Sequence, residues 1–117
     1  MNRKLFGDYG ENIASKYLAK NGYEIIQKNF RTKYGEIDIV AKENNTLVFV
    51  EVKTRENGKF ASPFTAVGKN KQKHIIKASL CYLKNKKLLE KVRCRFDVVS
   101  ITGNCNKIEL IKDAFRL

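Results

Sequence analysis

The sequence predicts a domain of the α/β (α+β) class, a mixed β-sheet flanked by helices, on three observations. Two segments carry apolar residues at helical spacing, and five shorter segments are rich in β-branched and aromatic residues. These segments follow one another in the order αβββαββ, which is typical of a mixed sheet. No repeat or linker divides the 117 residues, so we expect a single domain over residues 1–117.

The first four elements are predicted as a helix and three strands. A helix from about Phe6 to Lys20 is indicated by apolar positions three and four residues apart, with Gly22 where a helix commonly ends. A strand follows from Tyr23 to Phe30, and RTKYG is its turn. The segments EIDIVA and TLVFVEVK flank a polar ENN, which predicts a β-hairpin.

The remaining elements are a second helix and two strands. The helix is predicted over 67–85, and its apolar face would carry Ile75, Ile76, Ser79, Leu80 and Leu83. The opposite face is positive and carries Lys69, Lys71, Lys73 and Lys77. The segments RCRFDVVSI and KIELI, separated by TGNCN, predict the last two strands.

Charge is the strongest signal in the composition. The chain has 24 Lys and Arg against 12 Asp and Glu, a net charge of +12. Such an excess on a small surface favours polyanions, and it supplies the sequence-independent part of nucleic-acid binding. We therefore expect a nucleic acid as partner; a ribosome or an anionic membrane surface is the alternative that composition alone leaves open.

Other classes of protein are disfavoured by what the sequence lacks. Three cysteines without C-x-x-C spacing predict neither a disulfide framework nor a zinc site, and a single histidine makes a catalytic triad unexpected. The longest apolar run is far shorter than a membrane span, and Asp8 and Glu11 interrupt any signal peptide. We expect a cytoplasmic protein with no membrane partner.

Acidic residues lie in the middle of both strands of the predicted hairpin. If the chain turns symmetrically about the bond between Asn44 and Asn45, Asp38 lies opposite Glu51. Glu36 then lies opposite Lys53, and strand alternation places all four side chains on one face. The other face would carry the β-branched residues Ile37, Ile39, Val48, Val50 and Val52.

Two facing carboxylates repel each other unless something offsets their charge. With Cβ atoms about 5 Å apart, the repulsion at an effective dielectric constant of 20 is on the order of 3 kcal/mol. A hard divalent cation such as Mg2+ would turn that repulsion into ligation. The alternative is an exposed hairpin with a solvated polar face, in which Glu36 and Lys53 form an ordinary cross-strand ion pair.

Asp38, twelve further residues and then Glu51-Val52-Lys53 fit the D-x(n)-(D/E)-x-K pattern of the PD-(D/E)XK nuclease superfamily. Ile37 stands where the superfamily name has Pro. Further motifs follow in order along the chain: GENIASKYLAKNGYEIIQKNFR, GEIDIV, LVFVEVKTR, ASPFTAVGKNKQKHI and RFDVVSI. Together they resemble the YraN-like family of inferred bacterial endonucleases over nearly the whole chain.

The resemblance implies a restriction-endonuclease-like fold, a relation to Holliday-junction resolvases and an active site at Asp38, Glu51 and Lys53. It implies that Glu11 joins the metal site from the first helix. It also makes Gln72 an accessory residue on the second helix. The cofactor expected there is Mg2+ or Mn2+.

Other polar residues lie near these motifs. Glu36 is either a support of the metal ligands or an ion-pair partner of Lys53. Arg55 and the helix lysines are expected to contact phosphates. Asp97, in mid-strand and far in sequence from the acids, is expected to anchor an arginine such as Arg95 or Arg31, or a backbone donor, and not to bind metal.

The function expected from these residues is metal-dependent hydrolysis of phosphodiester bonds. DNA is favoured over RNA as the substrate, and a branched or structured DNA is one candidate. The alternative is a catalytically weak or inactive nuclease-fold module that binds DNA or RNA. The sequence leaves open whether the chain acts as a monomer or as a homodimer.

Overall fold

The computed structural model describes residues 3–55, 67–102 and 107–116, with side chains over 9–54, 67–102 and 107–116. The element order is the predicted one. The elements are α1 (Arg3–Lys20), β1 (Tyr23–Thr32), β2 (Gly35–Glu43), β3 (Thr46–Arg55), α2 (Lys69–Asn85), β4 (Arg93–Thr102) and β5 (Lys107–Phe115). Gly22, with φ +90°, follows the end of α1 as predicted, in a backbone conformation that a side chain would strain.

The five strands form one mixed, mostly antiparallel sheet in the order β1-β2-β3-β4-β5. The pairs β1–β2, β2–β3 and β4–β5 are antiparallel, and α2 is part of the crossover that makes β3 and β4 parallel. The parallel pair runs in one register from Thr46–Arg93 to Arg55–Thr102. Strand β3 is therefore held on both sides, and residues in its middle are buried.

The two helices cover opposite faces of the sheet. On one face Ala14 and Leu18 of α1 pack against a cluster that includes Val48 and Val50. On the other face Ile75 of α2 packs in a cluster that includes Phe49. Alternation along β3 thus assigns even-numbered residues to the α1 face and odd-numbered residues to the α2 face.

The buried face of α2 differs in part from the predicted one. Ile75, Ser79 and Leu83 are buried as expected, whereas Leu80 is 38% exposed. The residues buried with the first three are Ala78 and Tyr82. The prediction followed hydrophobicity, but the helix lies on the sheet by the stripe 75, 78, 79, 82 and 83, and Leu80 falls outside that arc.

No helix in the described part of the chain is long and apolar enough to cross a membrane.

Candidate active site

The hairpin has the register that symmetry about Asn44 and Asn45 requires. Glu43 pairs with Thr46 across a two-residue turn in which Asn44 has φ 53°, and the pairing continues to Ile39–Val50. The next step brings together Asp38 and Glu51, whose carboxyl groups are close enough to interact directly. The facing carboxyl groups predicted from the spacing are present in the structure.

Asp38 takes over a hydrogen bond that would otherwise belong to the strand ladder. Its Oδ2 accepts a hydrogen bond from the backbone N–H of Val52 at 2.8 Å. The regular β2–β3 pairing ends at Ile39–Val50, just before this bond. The prediction that Ile37 shares a face with Ile39 is wrong: Ile37 packs in the α2-face cluster, since β2 no longer alternates regularly against β3 here.

Both acids are buried, each with 7% exposure, which excludes the alternative of a solvated hairpin face. Burial, followed by the hydrogen bond and the charge of Asp38, raises the pKa of Glu51 to about 9. Near neutral pH Glu51 therefore keeps its proton. That proton offsets the repulsion between them, and a divalent cation that takes its place would bind oxygen ligands already brought together.

Two lysines flank the pair on the α2 face. The Lys71 ammonium lies 3.9 Å from Oε2 of Glu51. Lys53 follows Glu51 by two residues on the same strand face, so its side chain projects in the same direction. Lys71 and then Lys53 lower the pKa of Glu51 and so oppose the effect of burial. A positive rim at this point suits an anionic substrate.

The role of Lys71 was missed in the sequence, where it was grouped with the surface lysines. Lys71 precedes the buried Ile75 by four residues, so it lies at the edge of the stripe that faces the sheet. In the sequence, only the helical spacing between Lys71 and Ile75 could have indicated the contact of Lys71 with the acids. Lys71 is the α2 residue that contacts Glu51, whereas the family resemblance had made Gln72 the accessory residue on this helix.

Gln72 and Glu36 are engaged elsewhere. The Gln72 side-chain amide donates to the backbone carbonyl of Val67 at 2.9 Å and ties the start of α2 to the chain before it. Glu36 accepts from Nε of Arg31 at 3.2 Å, across the β1–β2 pair, and forms no bond to Lys53. An accessory role at the acids is not supported for either side chain in this structure.

Glu11 does not complete a set of three acids. In the part of the chain that the structure describes, no three His, Cys, Asp or Glu side chains are grouped closely enough to hold a metal ion. The neighbouring Gly10 lies against Thr54 and Val52 on the α1 face, whereas Glu51 faces α2. Mg2+ is commonly held by one or two carboxylates with water and substrate phosphates in the other positions, so Asp38 and Glu51 fit such an ion without a third acid.

Asp97 is structural, as predicted. It is fully buried and accepts hydrogen bonds from Arg95, from the hydroxyl of Tyr23 and from the backbone N–H of Asp113. Arg95 also donates to Glu43 at 2.7 Å. These bonds join the beginning of β1 to the middle strands and to β5, and every oxygen of the buried carboxylate is satisfied.

The remaining predicted contacts with nucleic acid lie on the exposed side of α2. Lys69, Lys73 and Lys77 are exposed, and the side chain of Arg55 lies outside the described part. Tyr34, which the sequence placed only in a turn, is an exposed ring beside Lys77. The positive surface therefore continues from the acids along α2 to the β1–β2 turn.

Comparison with known proteins identifies relatives along almost the whole chain. A UPF0102 protein of Caldicellulosiruptor bescii is 50% identical over 98% of this chain and 100% of its own, and one of Syntrophus aciditrophicus is 48% identical over 95% and 88%. A structure of SfsA from Pyrococcus furiosus in complex with Ca2+ covers 99% of this chain and 66% of its own, at 15% identity and a TM-score of 0.37. The model of the uncharacterised protein family UPF0102 matches residues 10–101. The chain belongs to the UPF0102 family.

Proposed function

We propose that this protein is a metal-dependent endonuclease that hydrolyses phosphodiester bonds of DNA. The observation that carries the proposal is the buried pair of carboxyl groups, Asp38 and Glu51, with the ammonium groups of Lys53 and Lys71 directed to the same side of the sheet. A structural role explains the pair poorly, because burying two carboxyl groups against each other costs free energy that apolar side chains would not.

The surroundings of the pair also favour a nuclease. The order Asp38, Glu51, Lys53 resembles that of the PD-(D/E)XK nucleases, and the three residues lie on two neighbouring strands of a mixed sheet with a helix on either face. The net charge of +12 favours a polyanionic substrate. Hydrolysis of a phosphodiester needs both a site for a hard cation and positive charge around the phosphate.

The chain's own residues would divide the work as follows. Asp38 and Glu51 would hold Mg2+ or Mn2+, and the N–H of Val52 fixes the orientation of the Asp38 carboxylate. When bound, such an ion activates water for attack and neutralises charge that develops on the phosphate. Lys53 would orient that water through its ammonium group, and Lys71, beside Glu51, would place positive charge near the phosphate.

The test is cleavage of DNA by purified protein with and without Mg2+ or Mn2+. Asp38→Asn and Glu51→Gln should each lower the cleavage rate by about 100-fold or more, since each removes a charged ligand. Binding of the same DNA should stay as tight as in the wild type or become tighter, because neither change adds negative charge near the phosphate. The substrates are linear duplex, single strand and a four-way junction.

The outcomes separate the proposal from its alternative. Equal cleavage by the wild type and both variants would show that a contaminating nuclease is responsible and would remove the assignment. Tight, salt-sensitive binding of DNA or RNA by all three proteins, without cleavage of any substrate, would favour a nuclease-fold binding module.

A further inference from the structure

The turn between β1 and β2 carries an exposed aromatic ring flanked by two lysines. Tyr34 is 39% exposed. The Lys33 ammonium lies 5.2 Å and the Lys77 ammonium 5.6 Å from the centre of its ring. Within the residues that the structure describes, neither ammonium forms an ion pair. A ring with this positive charge beside it suits a planar base whose phosphates are negative.

This turn lies directly on α2. A Cβ at Gly35, which has φ +150°, would be 3.2 Å from the Cβ of His74. His74 lies three residues after Lys71 and three before Lys77, and residues three apart are neighbours on a helix surface. The row of these three side chains thus leads from the Glu51 carboxyl group to the Tyr34 ring.

The rise of the helix between Lys71 and Lys77 gives the length scale of that row. Six residues of α-helix rise roughly 9 Å, which is close to three nucleotides at roughly 3.4 Å per step of a stacked strand. A strand whose phosphate lies at the acids can therefore bring one of the next few bases to Tyr34 while Lys77 and Lys33 contact its phosphates.

We infer that Tyr34 stacks on an unpaired base within about three nucleotides of the phosphate held at Asp38 and Glu51. The substrate of the site is then DNA with a single-stranded segment, and continuous duplex is disfavoured. In a duplex each base is already stacked on both sides, whereas in an unpaired strand a base face is free to meet an aromatic ring. This inference rests on the proposed function and specifies its substrate.

The experiment uses a single-stranded DNA oligonucleotide that carries one fluorescent purine analogue whose emission falls when it stacks on an aromatic ring. Binding is measured without divalent metal, so that it does not depend on cleavage. The wild type and Tyr34→Phe should quench the analogue. Tyr34→Ala should lose the quenching and bind about tenfold more weakly. The affinity for the matching duplex should be the same for all three proteins.

A matched control is available on the other side of the sheet. Tyr9 is 46% exposed and lies on α1, so Tyr9→Ala removes a comparable exposed ring. It should leave both quenching and affinity as in the wild type. An equal loss for Tyr9→Ala and Tyr34→Ala, no loss for Tyr34→Ala, or a loss for Tyr34→Phe as large as that for Tyr34→Ala would overturn the stacking role.

Cleavage of the same oligonucleotides with Mg2+ separates this inference from the proposed function. A protein that cuts duplex and single strand at equal rates, with or without Tyr34, keeps the proposed function and contradicts the inference. A protein that shows quenching dependent on Tyr34 but cuts nothing keeps the stacking surface and contradicts the proposed function.

Discussion

At the scale of single residues, Glu51 lies in a buried position that disfavours its ionised form. Burial and Asp38 raise its pKa, and Lys71 and Lys53 counteract them in part. The position of both acids was predictable, because a two-residue turn fixes which residues face each other in a hairpin. The contact of Lys71 was not predicted, since it depends on how α2 is placed on the sheet, and sequence spacing does not specify that placement.

Lys71 can be separated from the other lysines of α2 by a pair of matched variants. Lys71→Ala and Lys73→Ala each remove one exposed positive charge from the same helix, but only Lys71 contacts Glu51. Both should weaken DNA binding to a similar extent. Lys71→Ala should also lower kcat on the order of tenfold to 100-fold, because it removes a charge next to the reacting phosphate. Steady-state kinetics on one oligonucleotide measures both effects, and equal kcat values for the two variants would assign Lys71 to binding alone.

At the scale of elements, the sequence predicted which segments are helices and strands but not how they are arranged around the site. Local periodicity identifies a strand, whereas the parallel pairing of β3 with β4 joins segments separated by α2. The same limit explains Glu11: the resemblance placed it at the metal, but α1 packs on the face opposite α2. Near its beginning, α1 contacts β3 through Gly10, which lies against Thr54 and Val52.

Gly10 should tolerate no side chain. A Cβ at this position would collide with Cγ2 of Thr54. Alanine favours a helix by about 1 kcal/mol over glycine, so Gly10→Ala would stabilise the protein if the space were free. We expect it instead to lower the free energy of unfolding by about 1–3 kcal/mol, measured by denaturant titration.

Two further variants test whether the collision with Thr54 causes the loss of stability in Gly10→Ala. Thr54→Ala removes the colliding methyl group and should restore most of the stability in the double variant with Gly10→Ala. Gly68→Ala adds a Cβ where no atom lies within 4 Å, and it should change the free energy of unfolding by less than about 0.5 kcal/mol. The lower entropy of the unfolded chain stabilises the variant, whereas weaker capping of α2 destabilises it. A stable Gly10→Ala protein would show that α1 does not pack this closely on β3.

At the scale of the whole molecule, positive charge is the property that the sequence predicted most directly. The structure adds its location along α2 and the β1–β2 turn, on the side of the acids. Composition could not supply this, because α1 also carries lysines and lies on the opposite face. The location of the positive surface therefore depends on how the helices pack on the sheet, and the number of charged residues does not determine it.

DNA binding should weaken steeply with salt, and mutation should show which lysines are responsible. Each phosphate contact contributes about −0.9 to the slope of log K against log salt concentration. Lys69→Ala and Lys73→Ala should each reduce the steepness by nearly that amount, since both are exposed on α2. Lys16→Ala, exposed on α1, should leave the slope unchanged. A slope near zero for the wild type, or an equal change for all three variants, would contradict a binding surface on α2.

The central proposal is that Asp38 and Glu51 hold a divalent cation in place of the proton on Glu51. Calorimetric titration with Mn2+ in buffers of different ionisation enthalpy measures both the affinity and the protons released. Because the pKa of Glu51 is raised to about 9, the metal-free pair keeps its proton below that pH and must lose it on binding. The affinity for Mn2+ should thus rise up to about tenfold per pH unit from pH ~6 to pH ~8. About one proton should be released per ion bound, and Glu51→Gln should abolish this release. Affinity that is independent of pH, or a Glu51→Gln protein that binds Mn2+ and releases protons like the wild type, would contradict the claim.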